Sequence, residues 1–333
     1  MRIMIVGGAG YIGSHMVKML CQRGFQVTVL DNLSTGYRDA VLGGRFVKGD
    51  LADRPLLERL FAEEAFDGVM HFASCIQVGE SVREPAKYYR NNVAHTQNLL
   101  DAMVARGVLH FIFSSSAAIF GEPLRLPIDE THPQEPVNPY GRSKWMVEQI
   151  AADYDRAYGL KSVSLRYFNA AGADPEGELG ERHDPETHLI PLVLQAASGR
   201  RSHISVFGTD YDTPDGTCIR DYIHVQDLCT AHLLALQRLW EGVESTAYNL
   251  GSGNGFSVRQ VIETARAVTG HPVVVEYGVR RDGDPACLVA DSRRAREELS
   301  WRPQYGELAT LIEHAWRWEG ILSQKTLVQR RRL

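Results

Sequence analysis

The feature that most restricts this chain is a short apolar run, Arg2-Ile3-Met4-Ile5-Val6, that gives way at once to Gly7-Gly8-Ala9-Gly10-Tyr11-Ile12-Gly13. An apolar run ending on glycine, followed by helical periodicity over residues 12–23 that Gly24 stops, predicts strand, tight turn and helix. Gly7 and Gly10 let the backbone turn sharply and come close to a phosphate, and Gly13 lets the helix lie near the sheet. The next strand, residues 26–30, ends at Asp31, the position of an acidic side chain that holds both ribose hydroxyls of a dinucleotide. Such an acid repels a 2′-phosphate, and Asn32, Leu33 and Ser34 add no cation, so NAD is expected rather than NADP. The competing reading is a glycine-rich turn with no ligand. Against it stands the whole succession of strand, turn, helix, strand and acid.

The alternation continues. Strands are expected at 46–47, 68–72, 110–114 and 162–166, and helices at 55–64, 88–106 and 138–158. This pattern predicts an α/β fold of Rossmann type, a doubly wound parallel sheet covered on both faces. From Asn169 onward glycines, prolines and short strands interrupt amphipathic stretches such as 189–197. A dinucleotide-binding domain over 1–170 is therefore expected to carry a smaller mixed α/β substrate lobe over 171–333, with 221–250 returning to the main sheet. A chain of 333 residues is long enough for both.

Charge and cysteine usage exclude several classes. The net charge is -5 and the basic runs, such as Arg280-Arg281 and Arg293-Arg294, are short, so no nucleic-acid surface is expected. Five cysteines, odd in number and without C-x-x-C spacing, argue against a disulfide framework and for a reducing cytoplasm. The histidines form no pair at helical spacing and no cluster with cysteine, so no metal site is expected. No apolar run approaches the roughly 18–20 residues of a membrane span, and no signal peptide is apparent.

The chemistry is expected where the strand at 110–114 runs into Ser115 and Ser116, and where Tyr140-Gly141-Arg142-Ser143-Lys144 opens a helix. Tyr140 and Lys144 are four residues apart and share one helical face. A tyrosine titrating near 10 is a poor base at neutral pH, but an adjacent ammonium and a cationic nicotinamide both favour its phenolate. Tyr140 is thus the expected proton acceptor, Ser116 its hydrogen-bonding partner at the same oxygen, and Lys144 a second hold on the nicotinamide ribose. His71 reads as a structural histidine.

With these residues in place the chain resembles the extended short-chain dehydrogenase/reductases, and most closely the UDP-glucose 4-epimerase branch. The motifs run nearly end to end: GGAGYIGSH, LDNLSTG, VKGDL, FIFSSSA, PYGRSK, LRYFNAAGA, THLIP, DGTCIRDYIHVQDL, YNLGSG, RRDGDPA and LSWRP. The resemblance implies that Tyr11, Ile12, Asp31, Asn32, Asp50, Leu51, Phe72, Ala73, Asn92 and Phe168 contact NAD, with Gly7, Gly10, Gly13, Tyr140 and Lys144. It implies further that Ser116, Tyr140, Asn169, His188, Leu189, Phe207, Arg220, Arg281 and Asp284 surround a UDP-sugar, the arginines facing its diphosphate unless they serve as structural ion pairs. The implied reaction is epimerisation at sugar carbon 4 through a transient ketone, in a homodimer built on residues 88–106 and 139–158. Another UDP-sugar substrate, or a non-catalytic NAD-sensing role, are the alternatives. Ala117 and Ala118, where a dehydratase needs acidic groups, argue against elimination. The chain departs from better-known members at Ala118, Ile119, Phe120 and Ile76, and Leu288 or its neighbour Cys287 is expected to narrow the sugar pocket.

Overall fold

In the computed structural model, which describes residues 1–281 and 284–330, seven parallel strands form the central sheet. Their order across the sheet is Thr246–Leu250, Lys161–Tyr167, His110–Ser116, Gly68–His71, Arg2–Val6, Gln26–Asp31 and Arg45–Lys48. Because side chains alternate along a strand, Ile3 and Ile5 enter one core and Met4 and Val6 the other. The helices Tyr11–Gln22 and Val225–Trp240 cover the first face, and Arg54–Glu63, His95–Ala105 and Pro139–Tyr158 cover the second. The doubly wound fold is the one expected. Chain direction across the sheet reverses between Arg2–Val6 and Gly68–His71, which opens a crevice at their C-terminal ends.

Two segments differ from the sequence reading. The helix expected over 88–106 is assembled from Pro85–Tyr88, a π-helical turn Tyr89–Ala94, and His95–Ala105. Within 221–250, the helix Val225–Trp240 and the strand Thr246–Leu250 belong to the main sheet, but the strand Ile219–His224 pairs with Asn169–Ala171, Gly255–Ser257 and Cys287–Leu288 in a second sheet. Buried Asp221 ties that strand to neighbouring loops, accepting from the backbone N–H groups of Ser252, Gly253 and Ala290. The helices Leu189–Ala197, Val258–Thr269 and Leu308–Arg330 enclose a further core around Val193, Val261 and Leu311.

Two sets of polar contacts hold these parts together. Tyr11 donates its hydroxyl to the Gly172 carbonyl at 2.7 Å, and Lys18 reaches Asp174, Glu176 and Glu178 at 2.8, 2.5 and 2.6 Å. Under the central sheet, Glu148 of the helix Pro139–Tyr158 meets Arg166 of the strand Lys161–Tyr167, with Nη2 to Oε2 at 2.6 Å and Nε to Oε1 at 3.1 Å. Ser115 donates to the same carboxylate at 2.5 Å, and both charged residues are buried. Removing one member of such a pair strands the other charge. Arg166→Met is therefore expected to destabilise the protein by about 3–5 kcal/mol, and the double change Glu148→Met with Arg166→Met to recover most of it, as read from urea unfolding midpoints.

Candidate active site

The first turn of the helix Tyr11–Gln22 faces the crevice with no side chain capping it, Gly10 standing at the N-cap. Its free N–H groups and dipole suit an anion. A Cβ at Gly13 would lie 2.2 Å from the Gly7 carbonyl oxygen, so this glycine is demanded by the protein's own packing. A Cβ at Gly10 would meet only that same oxygen at 3.4 Å, which leaves the space above it open. Gly10 is thus the point at which a pyrophosphate can touch backbone. Asp31 is buried, and its two oxygens accept one backbone N–H each, from Ala9 at 2.9 Å and Leu33 at 2.8 Å. The remaining lone pairs can take a ribose diol. Asn32 donates to Asp50 at 2.7 Å, which brings together two segments expected to contact NAD, and Leu51 packs in the core behind them. Phe72 and Ala73 continue from the strand Gly68–His71 along the same crevice, Phe72 packing on His232. The residues present therefore suit NAD.

Asn92, expected as a cofactor contact, is a buried hub. Its side chain accepts from the Cys75 N–H at 2.8 Å and donates to the Cys75 carbonyl and the Ser143 hydroxyl, both at 3.0 Å. Ser143 in turn donates to the Tyr140 carbonyl at 2.7 Å. The π-helical turn delivers Asn92 to this position, a departure from regular winding that often marks functional segments.

Ser116, Tyr140 and Lys144 come together from strand end and helix start. Asn138 caps the helix, accepting from the Gly141 N–H at 2.9 Å. Lys144 donates to the Ser114 carbonyl at 2.8 Å and lies 5.9 Å from the centre of the Tyr140 ring. The electrostatics differ from the simple expectation of an ammonium depressing the phenol. Burial raises Tyr140, the Ser116 hydroxyl pulls it back down, and burial lowers Lys144 itself to about 7 against the attraction of Cys75 and Glu148. Loss of water is the leading influence on both groups. His71, held to Thr96 at 2.8 Å, is pushed by burial to about 3 and stays neutral, which suits a structural role.

On the lobe side, Asn169 donates to the Asp221 carbonyl at 2.9 Å, and Arg220 pairs with Asp284. Arg281 stacks over Phe207 at 4.0 Å on an exposed rim. His188 stands at the N-cap of the helix that begins with Leu189, its Nδ1 against Glu181. Phe168 and Leu288 both pack on the cluster of Ala117, Ile119, Phe120 and Ile128 that follows Ser116. Leu288 is also in register with Arg220 on the neighbouring strand. Cys287 pairs with Ile219 instead. The sequence reading missed Cys75, His232 beside Ser114 at 2.9 Å, and the Glu148–Arg166 pair, none of which carries a local motif.

Residues 3–251 match the family described as NAD dependent epimerase/dehydratase. A UDP-glucose 4-epimerase of Halalkalibacterium halodurans is 52% identical over 318 residues, 96% of this chain and 95% of its own. That of Rhizobium meliloti is 51% identical over 97% of this chain and 98% of its own. Among solved structures, UDP-glucose 4-epimerase from Brucella ovis in complex with NAD superposes with a TM-score of 0.94 at 51% identity, over 96% of this chain and 98% of the other.

The two glycines separate folding from ligand contact. Gly13→Ala is expected to lower thermal stability strongly. Gly10→Ala is expected to change it by about 1 kcal/mol or less while cutting the NAD retained through purification, measured by absorbance after acid release.

Proposed function

The chain belongs to the NAD dependent epimerase/dehydratase family, and we propose that within it the protein is a UDP-glucose 4-epimerase, interconverting UDP-galactose and UDP-glucose in galactose metabolism. The observation that carries this reading is the meeting of Ser116, Tyr140 and Lys144 beside the open Gly10 turn, with Arg220 on the strand that neighbours Leu288. Bound NAD supplies a reversible hydride acceptor and a cationic nicotinamide. Tyr140 takes the proton of the sugar's 4-hydroxyl, steadied by Ser116, and returns it after the 4-keto sugar has presented its other face. Lys144 and Asp31 hold the two riboses. Asn92 acts through Ser143 and the backbone of Cys75 to fix the helix start on which Tyr140 stands.

Arg220 and Arg281 bind the diphosphate through charge-assisted hydrogen bonds, with Asp284 orienting Arg220. Phe207, Asn169, His188 and Leu189 complete the nucleotide side. Firm charge pairing at the diphosphate and the apolar side chain of Leu288 at the sugar leave the ring free to rotate about its phosphate link. We place the enzyme in the cytoplasm, in line with the absence of a helix long and apolar enough to cross a membrane among the described residues. The run 85–105 packs side by side with Pro139–Tyr158. A second copy against them would make a four-helix bundle, the homodimer we propose.

Purified protein without added cofactor is expected to convert UDP-galactose to its gluco epimer, followed at carbon 4 by NMR. No conversion, even with NAD supplied, would refute this substrate. Tyr140→Phe is expected to lower kcat by about 100- to 10,000-fold and leave KM nearly unchanged. Leu288 is expected to disfavour N-acetylated sugars. Turnover of UDP-N-acetylglucosamine should trail that of UDP-glucose and rise in Leu288→Ala, and equal turnover in the wild type would count against that role of Leu288.

A further inference from the structure

Between the strand Asn169–Ala171 and the helix Leu189–Ala197, the loop brings four side chains to one point. Glu181, His183, Glu186 and His188 each turn a ligand-capable atom inward, and all four atoms lie within 4.8 Å of one another. His183 Nδ1 is 3.1 Å from one oxygen of Glu181 and 3.7 Å from one of Glu186, while His188 Nδ1 meets Glu181. The carboxylates are the buried members, each with a side chain 5% exposed, and His188, at 44%, opens the cluster to solvent.

We propose that Glu181, His183, Glu186 and His188 bind one zinc-class divalent cation, which fastens the loop entering the helix Leu189–Ala197. Two imidazoles and two carboxylates are a nitrogen and oxygen donor set suited to tetrahedral zinc. Ligand atoms about 2.0–2.1 Å from such an ion are about 3.4 Å apart, so the cluster needs only a small rearrangement in which the imidazoles part slightly from Glu181 and the wider pairs draw in. Charge balances as well. Two carboxylates compensate either two imidazolium protons or one divalent cation between neutral rings, and the cation replaces four separate contacts by one centre.

The surroundings hold the donors in place. Glu186 accepts the backbone N–H groups of Thr187 and His188 at 2.7 and 2.9 Å, and the Glu181 carbonyl accepts from Trp318 Nε1 at 2.9 Å. Such outer contacts fix ligand orientation. Arg182, the nearest cation in sequence, is turned away, stacked on Tyr37 at 3.6 Å and paired with Asp39 at 3.2 Å. The other carboxylate group of this region, Asp174, Glu176 and Glu178, is by contrast already filled by Lys18.

The test uses full-length protein without a histidine tag, treated with EDTA, exchanged into metal-free buffer and titrated calorimetrically with zinc chloride, with bound metal counted by mass spectrometry. One zinc per chain is expected. His183→Ala and Glu186→Gln should each weaken binding by at least about 10- to 100-fold, the range that even outer-sphere losses reach. His203→Ala, at a histidine elsewhere on the surface that pairs with Glu276, should leave it unchanged. Circular dichroism shows whether each variant folds, and Glu186→Gln keeps the test open should His183→Ala fail. No stoichiometric uptake, or uptake equal in both folded ligand variants, would mean an ion-pair network only and overturn the proposal. His188 is shared with the nucleotide side proposed above, but the readout is metal uptake in the absence of substrate, so failure of one assignment is distinguishable from failure of the other.

Discussion

The buried contact of Glu148 with Arg166 decides where the reactive groups stand. The helix Pro139–Tyr158 that carries Tyr140 could slide along the sheet on apolar contacts alone, since those have no direction. A carboxylate and a guanidinium out of water cannot slide, because any displacement leaves two uncompensated charges. Ser115, hydrogen-bonded to the same carboxylate, lies next to Ser116, so the register of helix against strand is fixed within a residue of the expected proton-transfer site.

How much of this was legible depends on how local each signal is. The glycine turn, Asp31 and the Tyr140–Lys144 spacing could be read because strand, turn and helix follow one another in the chain. Phe207 and Arg281 could be placed only by resemblance, since their stacking joins residues far apart in sequence. Glu148 and Arg166 look like ordinary charges on a helix and a strand until the fold buries both. The His183 and His188 cluster went unread for a different reason. Its spacing is that of an irregular loop, and a search tuned to helical intervals passes over it. The strand Ile219–His224 was assigned to the wrong sheet because partner choice is set by Asp221 and the loops it holds.

The titration behaviour of the pocket follows from the same burial that shapes it. Dehydration makes the phenol of Tyr140 harder to ionise and the ammonium of Lys144 easier to discharge, so neither group is set for proton transfer by the other. A cationic ring entering the crevice would favour the phenolate and disfavour the ammonium together. Filling the site would thus change the chemical character of both side chains.

The π-helical turn at Tyr89–Ala94 has a consequence for how the chain could have diverged. Such a turn amounts to one residue inserted into an α-helix, and losing that residue would restore regular winding. Because the wider turn takes up the roughly 100° that one α-helical residue contributes, the stretches on either side would keep nearly the same facing, and only the residues within the turn would shift. Asn92, inside the turn, would leave Cys75 and Ser143, while Leu99, Leu100 and Met103 beyond it would stay in the core. The irregular turn is therefore kept by the contacts that Asn92 makes, and a deletion there would cost the Tyr140 helix start its support before it cost the core its packing.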